Sequence, residues 1–367
     1  EKLIAAIRNQ YGSGVDFVGL GGPAMESVGF QSRFRISELS VVGLVEVLPH
    51  LRRILARVRE TADDIVRQKP DVVVTIDSPS FTVRVVTLLV GRYQGPKIHV
   101  VAPTVWAWRP GRVHKFKKYF DHLLTILPFE PNYFQRVGLA SKFIGHPVLE
   151  YGVQEADGRV FRKDHGIDSD QKLICILPGS RRGEVTRHLS IFGEALARYR
   201  AAWGDVFAVI PTVSAIRAFV EEGVSGWPKP PIIVSTPLEK YQSMKASNLA
   251  LAASGTVALE TALAEVPTVI AYKVSPLTAF IVRRLIKVDY VNIINVLAGK
   301  EIVPECLQEK CSPDVLADIL GEFSTVSGQS QIQQVRPYLS QLASSEGRPS
   351  EVAAQYIIKV STPETPV

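Results

Sequence analysis

The chain has 367 residues, 46% hydrophobic and 21% charged, a balance too apolar for disorder and a length that suits two domains of ordinary size rather than one core. Its formal net charge of +6 favours an anionic partner such as a membrane surface or a phosphorylated substrate, and the absence of any finger, RNP or basic-zipper pattern argues against nucleic acid. No uncharged run is long enough to span a bilayer, no signal-peptide pattern opens the chain, and three scattered cysteines fit a reducing compartment, so a cytoplasmic protein is expected.

In chain order, EKLIAAIRNQYG reads as an amphipathic helix ending near Gly12, and VDFVGL as a strand. A doubly wound domain usually begins with a strand, so the true N-terminus is expected to lie upstream. Residues 41–48, VVGLVEVL, are apolar except for Glu46. Pro49 suits the first turn of a helix, and Leu51, Ile54, Leu55, Val58, Ala62, Ile65 and Val66 then form one stripe at helical spacing, expected to pack on a sheet. Arg52, Arg53, Arg57 and Arg59 fall on the remaining faces.

From there apolar runs rich in Val and Ile alternate with helical patterns: DVVVTID, KIHVVAP, HLLTILP and KFIGHP, then KLICILPGS, DVFAVIPT, PIIVST, NLALAASG and PTVIAYK. Continuous apolar strands separated by helices indicate parallel sheets covered on both faces. The series breaks at about 150–170, where EYGVQEADGRVFRKDHGIDSD is polar and glycine-bearing, and the linker is expected there. The expected fold is α/β, with two Rossmann-like domains facing across a cleft. Residues 1–155 form the first domain and 165–325 the second, and helices over 326–367 are expected to pack over the junction.

Three segments carry chemistry. In LICILPGSRRGEV a buried strand ends in Pro178, Gly179 and Ser180, then Arg181, and a helix opens near Glu184. Backbone N–H groups at such a turn form an anion site, and an arginine there can fork onto a diphosphate. The plain alternative is an ordinary loop with exposed arginines. In NLALAASGTVALETALAEVPTVIAY a strand runs into Ser254, Gly255 and Thr256, with Glu260 one turn on, placed to accept the hydroxyls of a ribose. Two such turns in one half of the chain point to a nucleotide diphosphate. In DVVVTIDSPSF, Asp77 stands at the carboxyl end of a strand, where it can act as a general base toward an alcohol or simply serve a turn.

His99, His122 and His146 adjoin strands or turns and read as packing residues. Trp106 and Trp108, followed by Arg109, Arg112, Lys115, Lys117 and Lys118, suit either a sugar-stacking and phosphate-facing surface or an aromatic anchor before a solvated basic helix. No acidic cluster suited to a metal is visible, so neither a metal nor another cofactor is expected.

Together GGPAMESVGF, SELSVVGLVEVLPHL, DVVVTIDSPSFT, APTVWAWRPGRVHKF, LPFEPNYF, FIGHPVLE, LPGSRRGEV, ASGTVALETALAEVPTVIAYK and DYVNIINVLAGKEIVPECLQ resemble the lipid-A-disaccharide synthases, inverting glycosyltransferases of Gram-negative bacteria. The resemblance runs from about residue 15 to 320 in family order, and PTVWAW and DYVNIINVLAG are its most specific parts. It implies a GT-B fold and transfer from UDP-2,3-diacylglucosamine to 2,3-diacylglucosamine 1-phosphate, giving a β-1,6-linked disaccharide 1-phosphate and UDP. It further implies Asp77 as the base, Arg181 at the diphosphate, and Gly179, Ser180, Glu184, Ser254, Gly255, Thr256, Glu260 and Asn295 around the UDP-sugar. Because both substrates are lipids, the anionic cytoplasmic face of the inner membrane becomes an expected partner. Val42, Leu44, Val45, Val47 and Leu48 would supply apolar contact and Arg52 and Arg53 the charge. A homodimer stays open. The family's opening strand and its G-E-x-S-G-D loop are absent, and Ser80 stands where many members carry a second acid. The rivals are another GT-B protein such as a UDP-N-acetylglucosamine 2-epimerase, and a binding protein that closes on a nucleotide sugar without turnover.

Overall fold

Apolar runs bounded by turn residues become short parallel strands, each followed by a helix. A computed structural model describes residues 1–39, 51–253, 255–275, 278–279, 284–285 and 288–362. The chain divides into two compact units, Glu1–Pro147 together with Leu342–Val367, and Val148–Gln341.

In the first unit helices α1 (Lys2–Tyr11) and α2 (Leu51–Gln68) precede β1 (Val73–Ile76), α3 (Pro79–Leu88), β2 (Lys97–Val100), α4 (Arg112–Tyr119), β3 (His122–Thr125), α5 (Glu130–Gln135) and β4 (Ala140–Phe143). The strands lie in the order β1-β2-β3-β4, all parallel. One core joins Val58 and Ala62 of α2 to Val83 and Val86 of α3 and to Phe116 and Phe120. The expected stripe of α2 therefore turns inward at its middle, while Leu55 at its N-terminal end is 39% exposed. Another core joins Ile98, Val100, Leu124 and Ile144 to Val352, Ala353 and Ile357 of the C-terminal helix Pro349–Ser361. That helix also packs on Ala6 and Ile7 of α1 through Ala354, so the chain end belongs to the core of the first unit. VDFVGL makes no strand: Gly19 forms an isolated bridge with Ser32 and nothing longer.

The second unit runs α6 (Gly158–Asp164), β5 (Leu173–Leu177), α7 (Arg182–Trp203), β6 (Phe207–Pro211), α8 (Arg217–Val224), β7 (Ile232–Val234), α9 (Pro237–Ala246), β8 (Leu249–Ala252), α10 (Val257–Leu263), β9 (Thr268–Tyr272), α11 (Ile293–Ala298), β10 (Glu305–Leu307), α12 (Pro313–Phe323) and α13 (Val326–Ser340). Every residue of β5 and β8 is buried, which explains their unbroken apolar sequences. The sheet order is β10-β9-β8-β5-β6-β7. The chain thus winds outward from β5 through β6 to β7, then crosses back to β8 and winds the other way. The reversal lies between β5 and β8, the place where open α/β sheets bind ligands beyond their strand ends.

The polar stretch expected to be a linker is anchored in this unit. Arg162 of α6 donates to the Ala246 carbonyl and to Asn248 Oδ1, both at 2.9 Å, and to the carbonyls of Asp168 and Gln171. One arginine ties α6 to the chain between α9 and β8, and the unit starts at Val148.

Candidate active site

The two glycine turns of the second unit emerge side by side at the strand reversal. Leu177 pairs with Ala252 in the ladder, and the Ala253 N–H donates to the Leu177 carbonyl at 2.8 Å, so the ends of β5 and β8 are bonded neighbours. Gly179 has φ +118°, and a Cβ there would come within 2.7 Å of the Glu184 Cβ; only glycine fits. Gly255 has φ +132° and is exposed with Thr256 immediately before α10. Ser254 lies outside the described residues.

Glu184, expected around the UDP-sugar, makes its contacts within the first glycine turn. Its carboxylate folds back over its own turn, accepting from the Ser180 N–H at 3.2 Å and from Arg181 Nη1 at 2.9 Å. It braces the turn and orients Arg181. Arg181 itself extends outward, its side chain 63% exposed, with the remaining donors of its guanidinium fork turned to neither partner.

His188, one turn further along α7, escaped the sequence analysis. It is fully buried, and its Nε2 accepts from the Lys273 N–H while Nδ1 lies 3.0 Å from the Pro178 carbonyl. A backbone N–H can only donate and a carbonyl only accept, so the ring is neutral with its proton on Nδ1. Burial pushes its pKa down, which favours that state. His188 thereby clips the exit of β5 to the exit of β9, across the strand that leads to the second glycine turn.

Glu260 in the first turn of α10 is buried, with Lys240 Nζ of α9 at 2.6 Å from its Oε2. Although the ion pair is close, no donor among the described residues is aligned on that oxygen as a hydrogen bond. Nearby Tyr151 and Tyr241 have phenol pKa values raised by burial first and by this carboxylate second.

Asn295, also expected around the UDP-sugar, is bonded within its own segment. It is fully buried, and its amide is saturated: Nδ2 donates to the Val303 carbonyl and Glu305 Oε1, and Oδ1 accepts from the Ile302 and Val303 N–H groups. Glu305 also accepts from the Val291 and Asn292 N–H groups. Asn295 therefore holds the 291–305 segment together and has no polar position left for a ligand.

In the first unit, Asp77 follows β1 with φ +48° and Ser78 with φ +45°, two left-handed residues in succession before α3. Such backbone costs of order 1–3 kcal/mol per residue and persists where the surroundings enforce it. Here the Asp77 N–H donates to the Val100 carbonyl at 2.9 Å, and Thr82 Oγ1 donates to both the Asp77 and Ser78 carbonyls. The Asp77 side chain is exposed, and its carboxylate has no ion pair or hydrogen bond among the described residues. The bend thus holds a free carboxylate at the carboxyl edge of the sheet.

The same edge carries the PTVWAW turn, after β2. Trp106 Nε1–H donates to Glu130 Oε1 at 3.2 Å, and Glu130 Oε2 accepts from the Ile126 and Leu127 N–H groups. Glu130 is buried, and burial pushes its pKa from the ordinary 4.5 up to about 7, the three N–H donors only partly offsetting it. The folded chain then keeps a proton that the unfolded chain loses between pH 4.5 and about 7, so this group's contribution falls as pH rises through that window and is level above it. The Glu130→Gln variant should lose this slope, worth up to about 3 kcal/mol. Urea melts of both proteins from pH 4.5 to 8 cancel the opposing slopes of the buried histidines. A pH-independent difference between the two would mean that Glu130 is ionised throughout.

The histidines expected to pack do so. His99 is fully buried with Nδ1 2.7 Å from Thr75 Oγ1, and burial pushes its pKa to about 3. His122 Nδ1 lies 3.0 Å from the Tyr356 hydroxyl, and burial holds His146 at about 4.

Val42, Leu44, Val45, Val47 and Leu48 lie outside the described residues. Beyond them Arg53 and Arg57 grip Glu38 at 2.9 and 2.8 Å, so the α2 arginines are less free for an anionic surface than their number suggests. Arg52 and Arg59 are exposed with no acid paired to them among the described residues. Among the described residues, no helix is long and apolar enough to cross a membrane, and no cluster of potential metal ligands occurs.

The model of a family described as lipid-A-disaccharide synthetase matches residues 1–358. The lipid-A-disaccharide synthase of Rhodospirillum centenum is 45% identical over 368 residues, covering 98% of this chain and 91% of that protein. That of Paramagnetospirillum magneticum is 42% identical, covering 97% and 93%. Among solved structures, UDP-GlcNAc 2-epimerase from Neisseria meningitidis bound to UDP-GlcNAc has a TM-score of 0.60 at 12% identity, covering 98% of this chain and 95% of that one. MurG of Acinetobacter baumannii has a TM-score of 0.54 at 14% identity, covering 97% and 95%. Those structures share the fold alone, and the fold is GT-B-like. With the family model covering nearly the whole chain and these two synthases above 40% identity, the chain belongs to the lipid-A-disaccharide synthase family, glycosyltransferases of lipid A biosynthesis.

Proposed function

We propose that the chain transfers 2,3-diacylglucosamine from its UDP derivative to the 6-hydroxyl of 2,3-diacylglucosamine 1-phosphate, with inversion to a β-1,6 linkage. The observation that carries the assignment of residues is the pair of glycine turns bonded together at the β5/β8 reversal, with Arg181 extended beside them. There Gly179, Gly255 and Thr256 present backbone N–H groups to the diphosphate, Ser180 completes the first turn with its N–H held by Glu184, and Arg181 balances the charge that grows on the departing UDP. Glu260 accepts from the ribose hydroxyls, with Lys240 beside it at 2.6 Å. Ser254, by its place in the sequence, belongs to the same turn. Asp77 takes the proton from the attacking hydroxyl.

The purified chain incubated with both lipids should give the disaccharide 1-phosphate and UDP in equal amounts by mass spectrometry. UDP formed without consumption of the acceptor, or an epimerised donor sugar, would favour the rival reactions.

Both substrates are lipids, and we place the protein on the cytoplasmic face of the inner membrane, with residues 41–48 as the apolar contact and Arg52 and Arg53 beside anionic headgroups. Attraction is at most about 1 kcal/mol per arginine, and the Glu38 pairing takes part of Arg53's share. Stable docking therefore depends on the apolar stretch. Replacing Val42, Leu44 and Val45 together by Ser should release the folded protein from anionic vesicles. Unchanged co-sedimentation, or unfolding seen by circular dichroism, would assign the stretch to a core instead.

A further inference from the structure

Arg109 and Arg112, in the first unit, are a cation pair to which the reaction proposed above assigns no role. The Arg109 guanidinium carbon lies 4.5 Å from the centroid of the Trp108 ring and that of Arg112 5.8 Å from it, so one indole carries both. The indole is fixed, since its Nε1–H donates to Thr104 Oγ1 at 3.0 Å. The turn is fixed too, by the Ala107 and Trp108 N–H groups, which both donate to the Thr104 carbonyl, and by Glu130 beneath Trp106. Arg109 has φ +52° although it precedes Pro110, where extended backbone is usual. Neither guanidinium has a carboxylate partner among the described residues, in contrast to Arg33, Arg53, Arg57, Arg67 and Arg92 of the same unit. Burial and the neighbouring Arg109 cation both push Arg112 down from its usual pKa, as expected of like charges held together without a counterion.

We propose that Arg109 and Arg112, stacked on Trp108, bind the anomeric phosphate of the acceptor. This rests on the transferase reading above and adds the acceptor subsite to it. A phosphate monoester carries between one and two negative charges near neutrality and three acceptor oxygens, which suit two guanidinium forks held beside one indole. The location fits as well: this turn leaves β2, and Asp77 leaves the adjacent β1 bonded to Val100, the last residue of β2. In the acceptor, the phosphate-bearing carbon and the one bearing the reacting hydroxymethyl group both flank the ring oxygen. An anion site at the same sheet edge as the base would therefore hold the hydroxyl toward Asp77.

The test compares acceptors with a 1-phosphate and with a free anomeric hydroxyl. In Arg112→Gln the KM for the phosphorylated acceptor should rise about 10- to 100-fold, the scale of one charge-assisted contact, with kcat changed little. The dephosphorylated acceptor should be unaffected, so discrimination collapses. Arg112→Lys should recover part of it, and Arg109→Gln should act in the same direction. Equal losses on both acceptors, or lost binding to anionic vesicles with discrimination intact, would overturn the proposal; the latter would make the pair a headgroup site. A second readout needs no turnover: glucosamine 1-phosphate should quench tryptophan fluorescence, glucosamine should not, and Arg112→Gln should abolish the difference. Phosphate-specific quenching in a chain that makes no disaccharide sinks the transferase reading and leaves the phosphate site standing. Transfer with no phosphate discrimination does the reverse.

Discussion

Replacing Arg181 by Ala should lower turnover by about 10²–10³, the scale for losing one preorganised group that stabilises developing charge. The preorganisation is visible in the turn: Glu184 holds the guanidinium by Nη1 and the Ser180 N–H by its other oxygen, so the arginine is aimed before any ligand arrives. Arg181→Lys should recover only a fraction, because an ammonium keeps the charge and loses the planar fork. The effect should fall on kcat more than on donor KM, since the leaving group gains charge only as the bond breaks. Single-turnover rates at saturating donor measure this, and a rate within a few-fold of the parent would remove Arg181 from the chemistry.

Much of the fold was legible because β5 and β8 are buried on both faces and carry unbroken apolar sequences. The glycine turns were legible for the same reason, as each follows such a strand. Their adjacency was not, since it depends on the chain crossing from β7 back to β8, which only strand order reveals. Short elements escaped in both directions. The run VDFVGL has the composition of a strand and finds a single bridging partner, whereas β10 has three residues and too little sequence to show a pattern. The polar 150–170 segment looked like a linker because polarity usually marks solvent; here Arg162 spends it on backbone carbonyls. Glu184 and Asn295 were recognised as notable residues, but their intramolecular partners were not legible, since residue type is visible in sequence and partners are not. His188 was invisible because it acts on a carbonyl and an N–H that any residues could supply. Its spacing of four from Glu184 on one helix was the available signal.

Asp77→Asn should cost roughly 10²–10⁴ in the chemical step, the range for removing a positioned general base. The amide is nearly isosteric, and asparagine tolerates the left-handed backbone that position 77 requires, so the strained bend should survive the substitution. The strand-end bonds that set the bend come from the main chain and Thr82, and neither depends on the carboxylate. Melting temperature should therefore stay close to that of the parent, which separates a chemical defect from a folding one. UDP affinity should also be nearly unchanged, because the glycine turns and Arg181 belong to the other unit. Ser80 leaves no carboxylate three residues on to take over the proton, so a shallow loss through substitution by a neighbour is not expected. The measurements are single-turnover rate and UDP titration on the same preparation. Parallel losses in rate and UDP binding would place Asp77 at the donor instead, and the base would then have to be another group of the first unit.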